Sequence, residues 1–139
     1  SPMSTTELDD LFASNEAAEE EGVWVDVSPT IKLKIRAYSA DAVNNLREKL
    51  IKPFRTMIRA GGSIPEEQDK EIGRKVLAGA VIADWKGIKD AEGADVPYSA
   101  EEAYKVLSRL PKMVNFVIGI STDASMYKDE IEGDGVKNS

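Results

Sequence analysis

Two short runs near the start of the chain predict strands. Residues 30–38, TIKLKIRAY, alternate between apolar and polar side chains, and residues 23–27 read VWVDV. A period of two is typical of a half-buried strand. Ser28 and Pro29, between the runs, are common turn residues. The pattern therefore predicts a β-hairpin with one apolar face and one basic, solvent-facing surface. The cations of that surface are Lys32, Lys34 and Arg36.

From residue 40 onward, apolar residues recur every three or four positions, as in amphipathic helices. A first helix is predicted to begin near Ala40 with Ser39 as its cap. Pro53 should kink or split it, because proline lacks the N–H group that the helix needs. Gly61 and Gly62 should end it. A basic stripe on this helix comprises Lys52, Arg55 and Arg59.

A second helix is predicted from Ser63 and Pro65 to Trp85. Its middle, residues 76–85, reads VLAGAVIADW and is apolar nearly all round, which favours a central position in the fold. Gly79 lies among alanines, so we expect a surface of small residues there that another helix can approach closely. Trp85 is expected to close the core.

Two further helices are predicted after a loop that contains Gly93 and Pro97. Ser99 followed by Glu102 is a capping box, which starts a short helix, and Pro111 suits the first turn of the next. That last helix should be long, because its apolar residues keep helical spacing. They are Met113, Val117, Ile120, Ala124, Tyr127 and Ile131. The predicted fold class is α+β, mostly α: an N-terminal β-hairpin followed by about four packed helices.

Charge divides the chain into three parts. Its 139 residues carry a net charge of −7, and residues 1–22 hold seven acids and no base. Such a composition predicts a disordered acidic leader over 1–22, of which residues 1–2, before Met3, look like a cloning remnant. Residues 23–132 are predicted to form a single folded domain, and 133–139 a flexible tail. One helical turn in the leader is amphipathic. An alternative to disorder is therefore that this segment folds against a partner or against the basic face of its own chain. Its apolar residues are Leu8, Leu11 and Phe12.

Composition also limits the chemistry. The chain has no cysteine and no histidine, which excludes disulfides, thiolate sites and histidine-based catalysis. Catalysis by a pair of carboxylates is not excluded by composition. Asp84 is the most unusual acid, but the preferred interpretation is that it pairs with a base or caps the following turn. Asp90, Glu92 and Asp95 lack the spacing of a calcium loop. We therefore expect no enzymatic activity, no catalytic, cofactor or metal site, and no membrane segment.

The basic region from Lys32 to Arg59 contains eight bases and two acids. Nucleic-acid binding is one interpretation of such a cluster. The acidic chain as a whole and the scarcity of aromatic residues argue against it. A solvated face, or a docking site for an acidic protein segment, is the preferred interpretation.

Residues 82–111, IADWKGIKDAEGADVPYSAEEAYKVLSRLP, resemble the characteristic segment of tail assembly chaperones from long-tailed bacteriophages. In that family an Asp-Trp pair is followed by Gly and a branched residue, an acidic loop, a Pro-aromatic-Ser stretch and a helix rich in Glu and Ala. The matching positions here are Asp84-Trp85, Gly87-Ile88, Asp90 to Gly93, Pro97-Tyr98-Ser99 and Glu101-Glu102-Ala103. With Gly22 to Asp26 and the last helix, which carries Asp123 and Tyr127, the resemblance covers about residues 22–130.

The resemblance implies a chaperone that coats the tape measure protein, keeps it soluble and recruits major tail protein in the host bacterial cytoplasm. It also implies absence from the mature virion, and in many members a frameshift produces a longer form, which would be a further partner. Self-association is left open. An alternative is another acidic phage or bacterial interaction module, an inhibitor or a nucleic-acid mimic, although the folded part is close to neutral.

Partner contacts are expected at the basic face and at groove walls formed by the last helix and the helix around Gly79. The predicted contact residues are Lys32, Lys34, Arg36, Lys52, Arg55, Arg59, Gly79, Val117, Ile120 and Tyr127.

Overall fold

The computed structural model describes residues 7–9 and 15–128. In chain order the elements are helix α1 (Glu16–Glu21), strands β1 (Val23–Asp26) and β2 (Lys32–Ile35), helices α2 (Asp41–Ile51), α3 (Arg55–Arg59) and α4 (Glu66–Val76), strand β3 (Ile82–Lys86), and helices α5 (Ala100–Arg109) and α6 (Pro111–Ser121). A 3-10 turn (Lys52–Phe54) joins α2 to α3, a π-helical turn (Leu77–Val81) joins α4 to β3, and a second 3-10 turn (Ala124–Tyr127) follows α6. The predicted α+β class, mostly helical, is confirmed.

The β-hairpin forms as predicted. Strands β1 and β2 pair antiparallel, with Val25 opposite Leu33. The Ser28 hydroxyl stabilises the turn by accepting the backbone N–H groups of Thr30 at 3.3 Å and Ile31 at 3.1 Å. Leu33 and Ile35 are fully buried, so the apolar face of β2 packs against the helices.

The predicted second helix is wrong in its last part, where the structure has a third strand. Helix α4 ends at Val76, and the chain passes through the π-helical turn into β3, which pairs antiparallel with β2. Trp85 therefore lies on a strand, opposite Leu33, rather than on a helix. A continuous apolar run is compatible with both a buried helix and a buried strand, because neither periodicity is visible in it. The free edge of β2 decided the outcome, since its backbone groups need partners.

The π-helical turn lies at the centre of the core. Its residues pack against α2, α5 and α6. A Cβ atom at Gly79 would lie 3.1 Å from Leu46 Cδ2 and 3.6 Å from Ala100 Cβ. The close approach predicted at Gly79 is thus made by helices α2 and α5 of the same chain.

Two helix boundaries differ from the prediction. Helix α6 ends at Ser121 rather than continuing to Ile131, because the hydroxyl of Thr122 bonds back to Ile118 O at 2.7 Å and Asp123 caps the following 3-10 turn. At α2 the cap is not Ser39. The carboxylate of Glu20, on α1, instead accepts the N–H of Asp41 at 2.6 Å.

Helix α1 corrects part of the predicted disorder. Asn15 caps it, and the Asn15 N–H donates to Tyr127 O at 3.0 Å. Arg36 Nε donates to Glu20 O at 2.8 Å. Residues 15–22 are therefore anchored to the fold. In the described turn at residues 7–9, Leu8 is 55% exposed, whereas Leu11, Phe12 and the predicted tail at 133–139 lie outside the described residues.

Candidate functional site

The Asp-Trp to Pro-Tyr-Ser segment connects β3 to α5 and holds the core together. The buried Trp85 donates its indole N–H to Val96 O at 2.7 Å. The Tyr98 ring meets that of Trp85 edge-on, with centroids 5.5 Å apart. The Tyr98 hydroxyl lies 2.6 Å from Ala78 O and 2.8 Å from Ile82 O, so it bridges the π-helical turn and β3. Burial raises the pKa of Tyr98 above its ordinary value, which keeps this hydroxyl protonated.

The remaining residues of the segment shape the backbone. Gly87 has a φ of +84°, and a Cβ there would lie 1.9 Å from Thr30 O. The Asp90 carboxylate accepts the N–H groups of Glu92 and Ala94, both at 2.9 Å. Ser99 caps α5 by accepting the N–H of Glu102 at 3.1 Å. Contacts within the chain therefore determine the conformation of this segment.

Asp84, the acid singled out as unusual, also has a local role. Its carboxylate accepts the N–H of Trp85 at 2.8 Å, and it lies opposite Lys34 on β2. Within residues 7–9 and 15–128, no group of three or more acids is placed to hold a metal ion. No helix in this part of the chain is long and apolar enough to cross a membrane.

The predicted basic residues fall into three different environments. Lys32 and Lys34 lie on the outer face of the sheet, where Lys32 pairs with Asp26 at 2.8 Å. The other three cations are exposed. Lys52 lies in the 3-10 turn after α2, and Arg55 and Arg59 lie on α3, where Arg55 pairs with Glu48.

Arg36 does not belong to that exposed surface. Its guanidinium donates to Glu20 O at 2.8 Å and to Ala80 O at 2.7 Å. Both bonds tie separate parts of the fold together, so Arg36 is a structural residue rather than a docking cation.

The predicted apolar contact residues lie in or against the core. Val117 is fully buried, Ile120 packs against the core cluster, and Gly79 is enclosed by α2 and α5. Tyr127 is 1% exposed and donates its hydroxyl to Ile35 O at 3.0 Å. Val117 and Tyr127 are buried and Gly79 and Ile120 half-buried, so all four pack within the fold, and partner contacts at these positions stay a prediction.

An apolar groove lies on another side of the same helices. It runs between α4, α5 and α6 and encloses about 490 Å³. Its apolar lining comes from Leu77, Leu107, Pro111, Val114 and Ile118. The rest of the lining consists of Gly73 and the polar residues Tyr38, Lys70, Arg74, Ser108 and Asn115. The last helix forms one wall of this groove, but through residues other than Val117, Ile120 and Tyr127, which were chosen on periodicity.

Several apolar side chains of the groove helix α6 and its start are exposed. On and beside α6, Leu110, Phe116 and Ile118 are between 37% and 43% exposed. Of these three, Ile118 lines the groove and the other two do not, so Leu110 and Phe116 are exposed apolar residues of the kind that is normal on protein surfaces. The signal in the sequence was that the apolar residues of α6 cover more of its circumference than one core-facing stripe requires.

The groove combines an apolar floor with a few polar and basic side chains. Among the described residues, the titratable side chains that line it are Tyr38, Lys70 and Arg74, and none of the lining residues there is a carboxylate. Tyr38 forms one end, where the Arg47 guanidinium carbon lies 4.7 Å from its ring centroid. This cation–π contact orients the ring. An apolar floor with a few polar groups at the rim is typical of a surface that accepts an apolar segment.

Comparison with known proteins gives one match. The family model described as YdaY prophage protein matches residues 38–138, which include α2 to α6 and every residue that lines the groove. No curated protein and no solved structure matches the chain significantly. The matched region is well over half of the 139 residues. The chain therefore belongs to the YdaY prophage protein family and is phage-derived.

Proposed function

We propose that this prophage protein is a tail assembly chaperone that binds the tape measure protein, keeps it soluble and recruits major tail protein during assembly of the tail tube. The observation that carries the proposal is the open apolar groove between α4, α5 and α6. Membership of a prophage family and the resemblance of residues 82–111 to tail assembly chaperones support it. In this proposal the protein acts in the host cytoplasm, is absent from the mature virion and has no enzymatic activity.

The groove suits the client that a tail chaperone must hold. A tape measure protein is long, helical and apolar, and it aggregates unless its apolar stripe is covered. Laying that stripe into a groove between helices is helix-in-groove recognition, which uses apolar anchors one helical turn apart. Groove residues Pro111, Val114 and Ile118 repeat along α6 at that spacing, so they can contact successive anchors of the client.

Exposed cations have a secondary role in the proposal. Lys32, Lys34, Lys52, Arg55 and Arg59 are at least partly exposed, whereas Arg36 is engaged within the fold. Charges at the rim of an interface mainly set orientation and association rate. Raised salt should therefore slow association with the client but leave much of the affinity.

Co-expression tests the proposal directly. The tape measure protein encoded by the same prophage is produced alone, with this chain, and with two variants of it. Ile118→Glu places a charge in the groove, whereas Phe116→Glu places the same charge on the same helix at an exposed position that does not line the groove. Soluble tape measure protein is measured by centrifugation, and complexes by co-purification.

We expect the chain and Phe116→Glu to keep the client soluble and Ile118→Glu to fail. Equal insolubility of the client with and without the chain, together with no recovered complex, would reject the chaperone function. That result would favour the alternative function of an inhibitor or a nucleic-acid mimic.

A further inference from the structure

Gly73 is not explained by the fold. It lies inside α4, where glycine is a poor helix former. It is not among the glycines with positive φ, and a Cβ atom added to it would meet nothing within 4 Å. Gly79 is different, since Leu46 and Ala100 occupy the space beside it. At Gly73 the chain accepts a weaker helix without an internal packing gain.

The open space at Gly73 belongs to the groove. Lys70, Gly73 and Arg74 line it from one face of α4, and Leu77, the first residue of the π-helical turn, continues that face at the i, i+3, i+4, i+7 spacing. The missing side chain exposes the backbone in the middle of that face. Because the distance between packed helices depends on the side chains at their contact, a second helix can approach α4 more closely here than elsewhere.

The same face of α4 is basic. Lys70 and Arg74 lie on either side of Gly73 in the sequence, and none of the described residues that line the groove is an acid. Lys70 Nζ lies 3.5 Å from a carboxylate oxygen of Glu66, but both side chains are mostly exposed, so this pair is weak. Within the described part of the chain, Arg74 has no carboxylate within ion-pair distance. Both cations are thus available to an acidic group on an occupant.

We infer that the groove takes one amphipathic α-helix of the client protein, which crosses α4 closely at Gly73 and places acidic side chains beside Lys70 and Arg74. This inference rests on the proposed function for the source of the helix. It adds the chemistry of the recognised segment: an apolar stripe for Leu77, Leu107 and Ile118, bordered by acids on the side of α4.

The experiment uses two groups of fluorescent peptides. The first group consists of overlapping 20-residue segments of the tape measure protein. The second is a pair of designed amphipathic helices with one leucine stripe, bordered by glutamates in one peptide and by lysines in the other. Binding is measured by fluorescence anisotropy with the full chain, with Gly73→Leu, with Gly119→Leu and with Arg74→Glu.

The two glycine variants are matched. Gly119 also lies inside a helix, α6, and also has nothing within 4 Å of an added Cβ, but it does not line the groove. Leucine is a better helix former than glycine, so neither variant should unfold the protein, and circular dichroism melts confirm this. A loss of binding confined to Gly73→Leu therefore reports a blocked groove.

We expect the glutamate-bordered peptide to bind at least tenfold more tightly than the lysine-bordered one. Gly73→Leu should weaken its binding at least tenfold, Gly119→Leu should leave it unchanged, and Arg74→Glu should remove the preference for glutamate. The tape measure segments that bind should carry an acid-bordered apolar stripe.

Other outcomes overturn the inference. If the designed peptides bind equally or not at all, the groove does not select an acidic helix, whatever the tape measure segments do. Tape measure binding that survives Gly73→Leu would leave the chaperone function standing and place the contact elsewhere. Conversion of a dimer to a monomer by Gly73→Leu in analytical ultracentrifugation would show that a second copy of the chain occupies the groove.

Discussion

Replacement of Gly87 by alanine should separate β3 from the β-hairpin. Gly87 immediately follows β3, has a φ of +84° and would place a Cβ atom 1.9 Å from Thr30 O, in the hairpin turn. Real Cβ contacts essentially never fall below 3.0 Å, so one backbone segment would have to move by about 1 Å. That movement would strain the end of the sheet at which Lys32 pairs with Lys86.

The expected cost has two parts. An L-residue at positive φ costs about 1–2 kcal/mol. Forcing extra atoms into a packed site, with the backbone shift it requires, costs about 1–3 kcal/mol more. Gly87→Ala should therefore lower the free energy of unfolding by about 2–5 kcal/mol. Gly93 provides the control, because its φ is also +84° but a Cβ there would meet nothing within 4 Å. Gly93→Ala should cost only the conformational part.

Urea denaturation followed by tryptophan fluorescence and far-UV circular dichroism measures both variants. The expected result is that Gly87→Ala is less stable than Gly93→Ala by about 1–3 kcal/mol. Failure of Gly87→Ala to fold, with Gly93→Ala well folded, would agree with it. Two variants of equal stability would refute the close approach of the Gly87 backbone to the hairpin turn.

Three further predictions follow from buried or anchored side chains. Trp85→Ala should lower the free energy of unfolding by about 3–5 kcal/mol in urea melts, because it empties a large buried site and removes the bond to Val96 O; a loss below about 1 kcal/mol would place Trp85 at the surface. Burial raises the pKa of Tyr127 above its ordinary value of 10.0. Its contribution to stability should therefore be complete below that pH and lost as pH rises through the folded pKa; Tyr127→Phe should lose less stability than the wild type across alkaline urea melts, and equal losses would contradict this. Arg36→Met should speed amide exchange in α1, because it removes a donor to Glu20 O; unchanged exchange would show that α1 is held by its other bonds.

Local patterns in the sequence were sufficient where the cause is local. The β-hairpin follows from alternation over residues 30–38 and from turn residues beside it. The break at Pro53 and the cap at Ser99 follow from the backbone chemistry of those residues, which acts within one helical turn. The absence of cysteine and histidine set the limits on chemistry without any structure.

Tertiary packing decided the rest, because it determines which neighbours an apolar or charged residue meets. The run around Val81 became partly a strand, since the free edge of β2 needed backbone partners. In the sequence, Arg36 belongs to the polar set of an alternating strand. In the structure, its guanidinium donates hydrogen bonds to α1 and to the π-helical turn. On α6, apolar residues cover too much of the helix for periodicity to choose a side. Contacts with the core bury Val117 and leave Ile118 in the groove, so the candidate binding surface exists only once the helices are packed.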